Sequence, residues 1–355
     1  MSIDKRGAMQ VGLFDHLENS GRPLASLYDE RLQFVVAAEE AGFYCLHVAE
    51  HHASPISMVP VPGVYLGAVA RATKKIHLGP LVYLLTLYSP LRMIEEISML
   101  DHLSHGRLEI GVGRGVSPFE LSYHKVDHDE SRDIFIDAYK CVTAGLTNET
   151  LSYAGKYFTY KEVPMAMRPM QLPMPPFWYG SSNTIGATWA GEHGMHFTAN
   201  GPTSRAKVNI DAFREALDKR GGAASPKAEF SGGTAIGVLR QIVVADSDAE
   251  AVRIAKPAAE YHLGSLNWLR AKHGFTDHAD RLRTPGAATF DDLVREGIVI
   301  AGAPDTVVRE IQRQTAALGI NYLLTYLFFG TMTLADALGS LTLFRKEVMP
   351  RIARL

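Results

Sequence analysis

Between Ala37 and His52 the chain reads AAEEAGFYCLHVAEHH and ends on Glu50, His51 and His52, a carboxylate beside two imidazoles. An imidazole changes charge near neutrality and a carboxylate can orient it, so the triplet has the composition of a general acid–base site. The same residues also suit a polar loop at a strand end. A second cluster is Gly111, Val112, Gly113, Arg114 and Gly115. Glycines allow a ligand close to the backbone and a guanidinium suits bidentate phosphate binding, although one arginine among glycines is also an ordinary turn.

A third cluster, Gly180, Ser181, Ser182, Asn183 and Thr184, runs straight into the helical stretch IGATWAGEHG. Free amides and hydroxyls then converge on a helix N-terminus, which is an anion site by geometry. Capping by Ser or Asn explains one of these residues but not the group. The apolar run from Gly79 to Pro90, GPLVYLLTLYSP, continues past the expected strand end. It either packs in the core or offers a face to something flat and apolar, such as an isoalloxazine ring.

These clusters need elements to hold them. Phe43 to Ala49 is a short apolar run behind a glycine, as in a strand covered on both faces. Leu24 to Ala41 has helical spacing, and Gly42 can close that helix in the left-handed conformation. The strand candidates are Gln10 to Asp15, Tyr44 to Ala49, Ile76 to Leu84, Arg107 to Val112, Phe177 to Gly180, Met195 to Ala199, Ile236 to Ala245 and Tyr322 to Phe328. Amphipathic stretches such as Pro90 to Leu103, Asp133 to Ala144 and Thr306 to Leu318 separate them. This alternation predicts an α/β chain folded as a (β/α)8 TIM barrel, with insertions after strands 4 and 7. A doubly wound sheet is the alternative, but Asp15 is followed by HLENSGRPL and not by a Gly-rich turn.

The expected organisation is one barrel domain over residues 1–355, with 1–8 a flexible tail. Residues 149–176 mix a hairpin-like pattern with prolines, and 263–296 form an insertion that could close over the barrel mouth or lie on the surface. With 46% hydrophobic and 21% charged residues the composition is that of an ordinary globular chain, and a net charge of −2 argues against nucleic-acid or anionic-membrane partners. Cys45 and Cys141 lie in apolar contexts and are expected to be buried thiols. The start MSIDKRGAM is too polar for a secretory leader and no apolar stretch is long enough to span a membrane, so a cytoplasmic enzyme is expected.

Taken together, the blocks resemble the bacterial luciferase-like flavin-dependent monooxygenases over nearly the whole chain. The resemblance is carried by EHH after AEEAGFYCLHVA, by KKIHLGPLVYLLTLYSPLRMIEEISMLDHLSHGRLEIGVGRG, by WYGSSNTIGATWA, and by AGAPDTVVREIQRQTAALGINYLL followed by FGTMTLADALGSLTLFRKEVMP. It implies a TIM barrel that binds FMN at its C-terminal face. Arg114 matches the family's phosphate arginine, Ser181, Ser182 and Thr184 match the phosphate loop, and Arg132 matches a second basic contact. Leu81 and Val82 match the place where the family often has a non-proline cis peptide. His51 matches the histidine at the reactive flavin edge, with Glu50 or His52 expected to hold its ring.

The activity implied is that of a two-component monooxygenase. Reduced FMN from a separate flavin reductase reacts with O2 to a flavin hydroperoxide that oxidises a small organic substrate, in a protein that favours homodimers. Two other readings of the resemblance are a deazaflavin-dependent hydride-transfer oxidoreductase and a non-catalytic flavin-binding protein. The deazaflavin reading calls for a basic groove, and no Lys/Arg cluster beyond Arg114 and Arg132 stands near the site motifs. The chain departs from the light-emitting subunit at Gly113, where that subunit has a reactive cysteine, and at Gly180, where it has an acidic residue. Substrate choice and light emission therefore do not carry over.

Overall fold

The structure is a computed structural model and describes residues 8–274 and 289–355. Nine parallel strands lie on one path, in the order β3-β2-β1-β12-β10-β9-β8-β5-β4. They are β1 (Gln10–Asp15), β2 (Cys45–Val48), β3 (His77–Pro80), β4 (Tyr83–Leu84), β5 (Ile110–Gly113), β8 (Phe177–Ser181), β9 (His196–Ala199), β10 (Ile236–Val244) and β12 (Tyr322–Tyr326). The Leu78 amide donates to the Arg107 carbonyl at 3.1 Å and the Glu109 amide to the Leu78 carbonyl at 3.0 Å. These bonds bring the two ends of the path together, so the sheet is a nearly closed barrel.

Helices alternate with the strands and cover the barrel. Those that matter for the site are α1 (Leu24–Ala41), α2 (Pro62–Ala72), α3 (Pro90–Ser104), α4 (Pro118–Tyr123), α5 (Ser131–Thr147), α6 (Thr184–Glu192), α7 (Thr203–Arg220) and α8 (Asp248–Lys272). Helix α1 buries Leu27, Phe34, Val35 and Ala38 along one stripe and stops where Gly42 turns to φ +88°. Strand β2 is buried at every position, because helices cover its outside and barrel side chains fill its inside. Both Cys45 and Cys141 are buried free thiols.

Three departures from the sequence expectation are informative. The expected third strand, Ile76 to Leu84, is split: β3 pairs with β2, the Leu81–Val82 peptide is cis, and β4 then pairs with β5. The apolar run is thus divided, with Tyr83 and Leu85 in the core and Leu81 and Val82 left at the barrel mouth. A further strand, β11 (Val299–Gly302), pairs with Gln241–Val244 of β10, and four residues behind an insertion gave too short a period to read. The region expected to leave the barrel at 263 is still helix as far as Lys272, and it resumes as α9 (Phe290–Arg295). The part of that expected lid at 275–288 falls outside the described residues, as do residues 1–7 of the expected tail. In the first insertion, β6 (Thr150–Ala154) and β7 (Thr159–Pro164) form the antiparallel hairpin that the pattern suggested. The chain continues through α10 (Pro304–Leu318) before β12 and through α11 (Leu334–Leu343) and α12 (Met349–Ile352) after it.

The N-terminal end of the barrel is plugged by a buried polar cluster. Glu109 accepts from the Tyr44 hydroxyl at 2.8 Å and from the Trp178 indole at 2.5 Å, and it lies 3.0 Å from His77 Nδ1 and 3.8 Å from Lys227 Nζ. Burial pushes its carboxyl up, but His77 and Lys227 outweigh this and hold it at about 2. Beside it, His47 Nε2 is 3.0 Å from the Tyr322 hydroxyl. A Cβ on Gly12 would meet that hydroxyl at 1.7 Å, so the glycine in β1 is what admits the tyrosine.

Candidate active site

The strand C-termini open into a cavity of about 640 Å³. Its wall is made by Phe14 and Leu324 inside the barrel, by the ends of β2, β5, β8 and β9, and by His262, Leu266 and Arg270 of α8. Glu50 and His51 face this cavity, whereas His52 does not line it.

The triplet at the end of β2 is wired differently from the sequence expectation. His51 Nδ1 lies 3.1 Å from Glu120 Oε1 on α4, so Glu120 holds the ring, not Glu50 or His52. Pro118 starts α4 and the Ser117 hydroxyl caps it by accepting from the Glu120 amide, which fixes Glu120 on the first turn facing the barrel mouth. Glu50 is instead paired with His52 at 2.8 Å and accepts from the Leu84 amide at 3.0 Å. Burial holds the Glu50 carboxyl above the usual range in spite of those hydrogen bonds. His52 packs edge-on against His124, with ring centroids 4.5 Å apart. Glu120 is invisible to a sequence reading because it lies 69 residues from His51 and its partner is set by the fold.

A second set of polar groups gathers where β5, β8 and β9 end. Arg114 follows β5 and its guanidinium donates to the Ser131 hydroxyl at 3.3 Å, at the start of α5. Arg132 lies beside it on the same helix and lines the cavity. Both guanidiniums act on the Tyr179 hydroxyl, which burial pushes above its ordinary value while the two arginines pull it down. Ser181, Ser182 and Asn183 line the cavity at the N-terminus of α6, and Thr184 is its first residue, exposed and off the cavity wall. The Ser181 hydroxyl accepts from the Asn183 amide at 3.2 Å and the Asn183 side chain accepts from the Gly186 amide at 2.9 Å. A Cβ at Gly186 would stand 2.6 Å from Ser181 Oγ, so the turn closes onto the helix only with glycine there.

The glycines around Arg114 also serve packing. A Cβ on Gly111 would meet the Pro80 carbonyl oxygen at 2.2 Å, and one on Gly113 would meet Val82 Cγ2 at 2.5 Å. Gly111 makes room for the backbone at 80–81, Gly113 for the Val82 side chain, and Gly115 at φ +84° makes the turn, while Gly113 and Gly115 line the cavity. Leu81 and Val82 thereby reach the cavity wall, where Gly180 has only ordinary contacts with Leu81 and Thr198.

Sequence reasoning missed Arg205 at the start of α7 and placed Arg270 of α8 only within the segment over the barrel mouth, not among the basic groups of the site; both line the cavity with Arg114 and Arg132. The basic character beyond Arg114 and Arg132 is thus supplied from distant parts of the chain. It also missed His16 after β1 and His262 on α8. Among the described residues no group of His, Cys, Asp and Glu could hold a metal ion, and no helix is long and apolar enough to cross a membrane.

Leu81, Val82 and Gly180, the α6 turn with Arg114 and Arg132, and His51 line the one cavity, so it can hold a ligand that combines an apolar part with an anionic end. The profile of the luciferase-like monooxygenases matches residues 9–322. The chain is 36% identical over 346 residues to an uncharacterized protein of Sinorhizobium fredii, covering 97% of each. It is 25% identical over 254 residues to the oxygenase component of the flavin-dependent trigonelline monooxygenase of Acinetobacter baylyi, covering 68% of this chain and 67% of that one. In structure it is similar to the oxygenating constituent of 3,6-diketocamphane monooxygenase from Pseudomonas putida in complex with FMN. The TM-score is 0.79, with 22% identity over 97% of this chain and 99% of that one. An F420-dependent secondary alcohol dehydrogenase shares the fold at a TM-score of 0.71, with 19% identity over 97% and 99% of the two chains.

Proposed function

The chain belongs to the luciferase-like monooxygenase family, and from that premise we propose that it is the oxygenase component of a two-component system. In this reading it takes reduced FMN from a separate reductase and uses O2 to oxidise a small organic substrate. One observation carries the reading: an anion cradle of Arg114, Arg132 and the α6 turn shares a cavity with the apolar Leu81 and Val82 and with a carboxylate-held histidine. Bound reduced flavin supplies the electrons for oxygen activation; the protein supplies binding, orientation, exclusion of water and proton management.

The residues divide that work. Arg114 and Arg132 neutralise the flavin phosphate, and Ser181, Ser182 and the first amides of α6 bind its oxygens. Thr184, which the resemblance assigns to the same loop, contributes its backbone amide as the first residue of α6. Leu81 and Val82 support the ring system. His51 holds or moves a proton at its Nε2, because Nδ1 is committed to Glu120. Leu266 and the apolar interior residues Phe14, Leu239 and Leu324 keep water from the reacting centre. Glu50 and His52 act on the site through the Leu84 amide and the segment before it.

A second reading has its own support. Arg205 and Arg270 add basic groups to the cavity, which suits a coenzyme with a longer polyanionic tail, such as a deazaflavin used for hydride transfer. Anaerobic titration with reduced FMN, oxidised FMN and the deazaflavin, followed by mixing with O2, separates the two. Tight binding of reduced FMN with oxygen-dependent product formation supports the oxygenase. Tight deazaflavin binding with no oxygen consumption overturns it.

A further inference from the structure

Three imidazoles stand together on the cavity wall. His16 is stacked on His51, with ring centroids 5.6 Å apart and planes 26° from parallel, and the His262 ring lies 5.3 Å from that of His16. All three line the cavity. His16 is thus the ring that the other two share.

Both outer rings lie beside buried carboxylates. His51 Nδ1 is 3.1 Å from Glu120 Oε1, and His262 Nδ1 is 3.0 Å from Glu18 Oε2. Glu18 Oε2 also accepts from the Tyr326 hydroxyl at 3.0 Å and from the Gly330 amide at 2.8 Å. Burial pushes the Glu18 carboxyl up, but the neighbouring His262 and these hydrogen bonds outweigh it and hold it below its ordinary value. Other charged groups stand near the array among the described residues. Asp15 on β1 pairs with Arg31 of α1 at 3.2 Å, Glu50 after β2 pairs with His52, and Arg114 and Arg270 line the same cavity from the β5 end and from α8. Tyr326 of β12 packs against both His16 and His262.

A carboxylate beside each outer imidazole favours the proton there, and two like charges between 5 and 6 Å apart repel. We propose that His16 is a second proton-accepting residue of this active site, kept in its accepting form by the ion-paired imidazoles of His51 and His262. A proton leaving an O–H or N–H of the bound substrate goes to a ring nitrogen of His16. The donor atom keeps the electron pair, the imidazole becomes imidazolium, and the proton passes to solvent when product leaves. His262 acts through His16 and is a positioning residue. The assignment of a substrate proton to His16 rests on the oxygenase reading, whereas the coupling of the three rings rests on their geometry.

The test begins with cofactor-free protein labelled at histidine and titrated by NMR, in the native sequence and in H51Q and H262Q. The His16 midpoint is expected to rise by about 0.5 to 2 pH units when either neighbouring ring is replaced. A His16 midpoint unmoved in both variants overturns the coupling. In the flavin-loaded enzyme, H16Q is expected to bind reduced FMN normally and to lose at least about tenfold in turnover. Full turnover in H16Q overturns the catalytic assignment. Failure of the native protein to bind reduced FMN removes the functional reading itself, a result on which the cofactor-free titration does not depend.

Discussion

His52 Nε2 lies 2.8 Å from Glu50 Oε1, so the carboxylate that precedes His51 in the sequence serves the histidine that follows it. The other oxygen of Glu50 takes the Leu84 amide at 3.0 Å, which ties the end of β2 to the chain just past Leu81 and Val82. Glu50→Ala would leave both partners unsatisfied. We expect it to cost about 1–3 kcal/mol in urea unfolding and to weaken reduced-FMN binding, with Glu50→Gln milder on both counts. His52→Ala should leave flavin affinity nearly unchanged, since its ring is off the cavity wall. A loss of flavin affinity in His52→Ala equal to that in Glu50→Ala would defeat this division.

Glu120 and His51 make the pair that the proposed proton chemistry needs. His51→Gln should lower turnover by about 10²–10⁴ with little change in flavin affinity. Glu120→Gln keeps a hydrogen-bonding group but removes the charge that favours imidazolium. It should therefore lower turnover, but by less than His51→Gln. Steady-state turnover of both variants checks this, and full turnover in Glu120→Gln would mean that the carboxylate does not serve His51.

The anion cradle makes a prediction about affinity alone. Arg114→Ala should weaken FMN binding by roughly 10- to 150-fold, the range for losing one hydrogen bond to a charged group. Gly186→Ala would drive a methyl group against Ser181 Oγ, where the Cβ position is 2.6 Å away, and should weaken binding without touching any charge. Flavin fluorescence quenching measures both. Ionic strength separates them, because only the arginine term is screened.

The barrel floor sets how the protein responds to acid. Burial lowers His47 to about 3, against the pull of Glu109, and burial lowers His196 to about 4. The Ala235 amide donates to His196 Nδ1 at 2.9 Å, which a protonated ring could not accept. Both histidines thus have folded values below the unfolded value near 6.5, so the unfolded chain binds more protons through that window. The stability they contribute is complete above about pH 6.5 and is lost as the pH falls toward 4 and then 3. Between pH 7.5 and pH 5 each should remove about 2 kcal/mol of unfolding free energy, measurable by urea titration at the two pH values. Glu109, held at about 2, adds its own loss only below about 4.5, and Asp15, raised to about 6 by burial, acts with the opposite sign, so the check is the difference from His196→Gln: an unchanged slope between pH 7.5 and 5 in that variant would show that His196 is not kept neutral.

The barrel was legible in the sequence because buried parallel strands leave continuous apolar runs and helices leave a spaced stripe. Helix α1 and strand β1 have the expected bounds. What escaped was long-range. Glu120, His16, Arg205 and His262 come to the cavity from four separate elements, and nothing in the local pattern around each marks a partner 69 or more residues away, as Glu120 is from His51. Gly111 and Gly113 were visible as glycines, but their packing role was not, because the Pro80–Leu81 backbone and the Val82 side chain that they admit belong to the neighbouring segment. The loop at 181–184 was legible because its partners are local.

Helix α8 carries His262, Leu266 and Arg270 on the cavity side and continues to Lys272, while Pro257 interrupts its hydrogen-bond ladder one turn before Tyr261. The element that roofs the site is therefore also the element that presents a titratable group to it. If the proposed coupling of His262 to His16 holds, a sequence change that tilts this roof to admit a different substrate also moves the ring beside His16. The shape of the site and its proton chemistry would then share one rod.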